Sequence, residues 1–112
     1  MITVEQATQI VRDKSPNDLI VAYFEYRDEY RFVTSFKPFS VYGLGGLSVV
    51  NKNTGAIHFE SIGQIYDKFY PLGEEGMKLA KEYKQAEGNL HNVDLSDEEW
   101  KEFQDWLRII RM

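Results

Sequence analysis

Residues 42–61 read YGLGGLSVVNKNTGAIHFES. Gly43, Gly45 and Gly46 crowd into four positions; an apolar run, a turn and a second apolar run follow. Two readings compete. A phosphate loop aims backbone N–H groups inward and passes at once into a helix whose N-terminal dipole faces the anion. A Walker loop also closes on Lys and Ser/Thr. Here Gly46 runs into Leu47-Ser48-Val49-Val50, a strand by local preference, and no GK[ST] occurs. The stretch therefore predicts a β-hairpin, with the glycines letting the chain bend before its first strand. In the KNTG turn (52–55), Asn53 and Gly55 both tolerate positive φ. In the strand that follows, Ile57 and Phe59 face one way, His58 and Glu60 the other.

Upstream, Thr3 and Gln6 have the spacing of a capping box, and Val4, Ala7, Ile10 and Val11 repeat at helical spacing, which predicts a helix over 3–14. Pro16 stops it. Residues 19–27, LIVAYFEYR, are apolar on both alternations up to Phe24, which predicts a central strand covered on both faces. Asp28 and Glu29 make a turn. Tyr30, Phe32, Thr34 and Phe36 then alternate with Arg31, Val33 and Ser35, as in the second arm of an antiparallel hairpin.

Downstream the pattern is helical. IGQIYDKFYPLG (62–73) holds one or two turns, stopped by Pro71 and Gly73. Residues 74–88 predict a helix weakened by Gly76, with Leu79, Tyr83 and Ala86 on its inner face. NLHNVDL reads as a linker. Ser96 and Glu99 form a second capping box, and Trp100, Phe103, Leu107 and Ile110 mark an amphipathic helix over about 97–111. The whole predicts one α+β domain over 1–112: an N-terminal helix, a four-stranded antiparallel meander, and C-terminal helices packed on the sheet.

Composition narrows the function. At 43% hydrophobic and 14% aromatic residues, 112 residues can build one core. The net charge is −5, and residues 74–105 hold 10 acidic against 4 basic side chains. Such a field repels nucleic acid and anionic membranes and attracts basic partners. With no cysteine, disulfides and thiolate catalysis are excluded. MITVEQATQIV lacks the pattern of a secretory leader and no apolar run approaches ~20 residues, so a cytoplasmic protein is expected.

No reactive constellation stands out. His58 and His91 form no metal-ligand pattern, so no metal and no cofactor are expected. No GxSxG occurs. Adjacent carboxylates sit in turns or first helical turns, where exposed N–H groups stabilise them. Glu25, between Phe24 and Tyr26, reads as an outward residue paired with Arg27 or Arg31. The expectation is a protein that is not an enzyme.

Two features remain. The rings Tyr23, Tyr26, Phe32, Phe36, Phe39, Tyr42, Phe59, Tyr66, Phe69 and Tyr70 belong to a core or an interface. The acidic stretch 74–105 is a solvated face or a dock for a basic protein.

The helix MITVEQATQIV, the strand pair EYRDEYRFVTSF and the hairpin LSVVNKNTGAIHF together resemble the YrhB-like bacterial domain grouped as immunity protein 35 of polymorphic toxin systems. The resemblance covers roughly residues 1–62. It implies binding rather than catalysis: an immunity protein that neutralises a cognate protein toxin, of which many are basic nucleases. Exposure and charge then mark Tyr42, Asp97, Glu98, Glu102 and Asp105 as partner-binding residues, with Phe39 and His58 beside them. Two other readings stand: a small-ligand-binding domain with an aromatic pocket, and an adaptor or structural subunit. The edge strand of the meander offers a contact for a homodimer.

Overall fold

In the computed structural model, which describes residues 1–36 and 46–110, the chain forms an antiparallel sheet with helices on both faces. The elements in order are α1 (Val4–Lys14), β1 (Asp18–Tyr26), β2 (Glu29–Phe36), β3 (Leu47–Asn51), β4 (Ile57–Glu60), α2 (Ile62–Phe69), α3 (Glu74–Glu87), β5 (His91–Asn92) and α4 (Asp97–Ile110). The class is α+β, as expected, but the sheet has five strands, ordered β4-β3-β2-β1-β5. The extra strand lies in the segment read as a linker. Its two residues pair with Ala22 and Tyr23, too short a run to leave any alternation in the sequence. It also gives β1 a neighbour on its outer side, so β1 is an inner strand and β2 the middle one.

Gly46 answers the question posed by its neighbourhood. It leads into β3, not a helix, with φ of 127°. A β-carbon there would overlap the Glu60 carbonyl and the Phe59 ring. Only glycine lets the chain pass that close to β4. Gly43 and Gly45 lie outside the described residues. The β3–β4 loop closes on Gly55, at φ 75°, whose N–H reaches the Asn51 carbonyl at 2.8 Å, while the Asn51 side chain accepts from the amides of Asn53 and Thr54. The β1–β2 turn falls one residue earlier than expected. Tyr26 pairs with Glu29, and Arg27 takes the positive φ of 52°.

A register shift between Ile20 and Ala22 sorts the side chains of β1 onto two faces. Beyond a bulge, the alternation moves by one residue. Ile20 and Tyr23 thus share a face with Tyr30, Phe32 and Val50, and α1 covers it with Ala7 and Val11. Ala22, Phe24 and Tyr26 point the other way. There Phe69 of α2 and Tyr83 of α3 pack on Phe24, Tyr26 and Val49, and Phe103 of α4 packs with Ala22 and Leu95. β1 is covered on both faces, as its apolar run implies.

Local signals set most boundaries. Thr3 and Gln6 cap α1 reciprocally, with bonds of 3.2 and 2.9 Å, and Ser96 with Glu99 does the same before α4. Ser61 and Gln64 form a third such box that the sequence reading passed over. Gly76 has a role beyond weakening α3. It is buried, and a β-carbon there would overlap the Pro71 carbonyl, so the missing side chain lets α3 seat against the α2–α3 loop. Glu25 bonds Lys52 at 2.7 Å rather than Arg27 or Arg31, because the β2–β3 pairing brings the β3–β4 turn beside it.

Candidate functional site: a buried ion network and an acidic helix face

β2 carries Arg31 opposite Phe24 on one side and Val49 on the other, on the sheet face that α2 and α3 cover. Its side chain is fully buried. One guanidinium arm donates to Glu29 Oε1 at 2.8 Å, the other to Glu60 Oε1 at 2.5 Å. Its Cζ lies 4.9 Å from the centre of the Phe69 ring and 5.3 Å from that of the Tyr83 ring, and the two rings stack with centres 4.0 Å apart. A desolvated cation over ring faces gains from their quadrupoles. Its Nε donates to no described group.

Glu60, 6% exposed at the end of β4, gathers three nitrogen partners. Besides Arg31, its other oxygen lies 2.7 Å from His58 Nε2 and 3.3 Å from Lys68 Nζ of α2. Burial pushes its carboxyl up, but the hydrogen bonds from Arg31 and His58 and the charges of Arg31 and Lys68 outweigh it and hold the carboxyl at about 2. Burial likewise pushes the neighbouring Tyr83 hydroxyl up, far above the ordinary phenol range. A carboxylate held that low accepts protons poorly at neutral pH, so its chemistry is that of an ion-pair latch joining β2, β4 and α2.

Glu29, His58 and Glu60 each offer a ligand atom, and these atoms lie within 4.8 Å of one another. The donor types suit a transition metal. However, Arg31 and Lys68 already supply two positive charges to the two carboxylates, and Arg31 bonds both. A divalent cation would enter only against those charges.

The second feature is the outer face of α4. Trp100, Phe103, Trp106 and Leu107 turn inward onto Val21, Ala22 and Leu95. That leaves Asp97, Glu98, Glu102 and Asp105 exposed. Asp105 stands 3.6 Å from Arg108; Asp97, Glu98 and Glu102 have no ion pair among the described residues. The rest of the acidic third is partly consumed within the chain. Asp94 takes both arms of Arg12, at 2.6 and 3.0 Å, and accepts the Ile20 amide; Glu82 takes Arg27 at 2.9 Å.

The structure brings the four α4 acids together but not His58. β4 lies at the far edge of the sheet from the β1 residues under α4, about three strand spacings or roughly 14 Å away. His58 is half exposed and committed to Glu60. Phe39 and Tyr42 lie outside the described residues. Of the aromatic set, Tyr26, Phe32 and Phe69 are core, while Phe59 and Tyr66 are more than half exposed. The sequence reading missed Arg31 and Glu60. A signal existed: Arg31 alternates with Val33 on a face that the C-terminal helices must cover, so its charge had to be met there. No helix among the described residues is long and apolar enough to cross a membrane. Compared with known protein families, curated proteins and solved structures, the chain matches none.

Proposed function

We propose that this chain is a non-enzymatic, cytoplasmic immunity protein that binds a cognate basic toxin through the outer face of α4. The observation that carries the reading is the set Asp97, Glu98, Glu102 and Asp105, exposed on a helix that four large side chains anchor to the sheet. A rigid element whose exposed face is mostly acidic, with Lys101 and Arg108 as its exposed cations among the described residues, steers an oppositely charged protein and fixes its orientation. Three of those acids have no intramolecular cation among the described residues. Docking there would therefore break no ion pair of theirs.

The test is growth rescue. A candidate toxin domain with a basic surface is expressed in a sensitive host, with and without this chain. The reading requires that co-expression restores growth, and that Glu98→Lys with Glu102→Lys reduces protection while the protein remains folded and soluble. Absence of protection by the unaltered chain removes the immunity reading. Full protection by the folded double variant removes α4 from it.

A further inference from the structure

We propose that two copies of this chain pair through their helical layer, α3 of each lying on α4 of the other. The observation is a charge division on one side of the molecule. Both helices pack on the same sheet face, and their clusters share Val33 and Leu90. Away from the sheet, α3 carries Met77, Ala80, Lys81, Lys84 and Gln85 along an open groove of about 500 Å³. Met77 is 74% exposed. Lys81 has no ion pair among the described residues, and Lys84 rests over the Tyr70 ring at 5.7 Å. The neighbouring helix presents Glu98 and Glu102, also unpaired among the described residues, on its outer face.

The strip bearing Lys81 and Lys84, on a helix that also holds Glu74, Glu75, Glu82 and Glu87, and the mostly acidic outer face of α4, with Lys101 between Glu98 and Glu102, complement each other under a twofold axis. Each lysine row then meets the partner's acidic row, twice per dimer, in the self-complementary contact that most homodimers use. The helices are matched in length: 14 residues each, about 21 Å. Met77 adds an apolar contact between the charged rows. The net charge of −5 opposes association at long range. At about 0.1 M salt that repulsion is screened beyond ~10 Å, whereas ion pairs in contact persist. Pairing would cover the α4 face assigned above to toxin, so the two events compete. The experiment needs no toxin and therefore stands or fails separately from that reading.

Sedimentation equilibrium on the purified chain at about 0.1 M salt should give twice the 13.1 kDa chain mass. Lys81→Glu with Lys84→Glu makes both helix faces acidic; Glu98→Lys with Glu102→Lys makes both basic. Each variant alone should be at least tenfold weaker in self-association. An equimolar mixture of the two should recover the dimer, because both contacts become complementary again. Circular dichroism checks that each variant is folded; Lys81→Glu alone replaces the first variant should that one unfold. A monomeric wild type, a folded variant that dimerises as well as the wild type, or a mixture no more associated than its components overturns the proposal.

Discussion

The guanidinium of Arg31 and the carboxylate of Glu60 meet at 2.5 Å in the interior, 29 residues apart in the chain, with the Phe69 and Tyr83 rings stacked beside the cation. The pair joins the middle strand of the sheet to an edge strand, and through Lys68 it reaches α2. Such a pair is not free stability, since both charges lose their water. Its value depends on both partners being present.

Arg31→Met should therefore cost about 3–5 kcal/mol, because Glu60 is left charged and buried. Arg31→Met with Glu60→Leu should cost less than Arg31→Met alone. Urea unfolding of the wild type, Arg31→Met, Glu60→Leu and the double variant provides the measurement. A double variant as unstable as the sum of its parts would show that the two residues do not act as a pair.

Stability should fall on acidification through a window that Glu60 helps to set. Its carboxyl is lowered from the ordinary 4.5 to about 2, so its contribution is fully present above about 4.5 and is lost as pH falls from there toward 2. Glu60→Gln removes that part. Its unfolding free energy should change less between those pH values than that of the wild type, as denaturant melts at each pH would reveal. Equal slopes would contradict the geometry around Glu60.

Gly76→Ala places two effects in opposition. Alanine favours an exposed helix interior by about 1 kcal/mol. Here the added carbon overlaps the Pro71 carbonyl, and backbone gives way at a cost of about 1–3 kcal/mol. The clash wins, so the thermal midpoint should fall. A rise would mean that the α2–α3 loop yields freely.

Phe103 and Trp100 separate core from rim on α4. Phe103 is 3% exposed and should cost about 3–5 kcal/mol on truncation to alanine. Trp100 stacks on it with ring centres 5.8 Å apart but keeps partial exposure, so Trp100→Ala should cost less. Denaturant midpoints rank the two. The reverse order would move the anchor of α4 toward its N-terminus.

What could be read from the sequence was what is local. Thr3 with Gln6 and Ser96 with Glu99 are three residues apart and cap in the manner their spacing implies. Gly55 stands where a loop needs positive φ, and Gly46 precedes a strand because β-branched residues follow it. What could not be read depends on register. Glu25 meets Lys52 only after β2 and β3 have paired. The strand His91–Asn92 exists because the edge of β1 accepts it, not because two residues favour extension. In β4 the alternation was legible and the burial was not: Phe59 is 58% exposed and Glu60 6%. Charge normally marks the outside of a strand, and here Arg31 reverses that rule. On α4, helical period alone sorted the acids outward, so that part of the candidate site was visible from the start.

The most direct measurement is the association rate of this chain with the toxin domain, taken across a range of salt concentrations. Attraction between the α4 acids and a basic partner predicts fast association at low salt that slows steeply as salt rises. Glu98→Lys with Glu102→Lys should then associate more slowly and lose most of that salt dependence. Identical rates and identical salt dependence in the folded double variant would contradict the account.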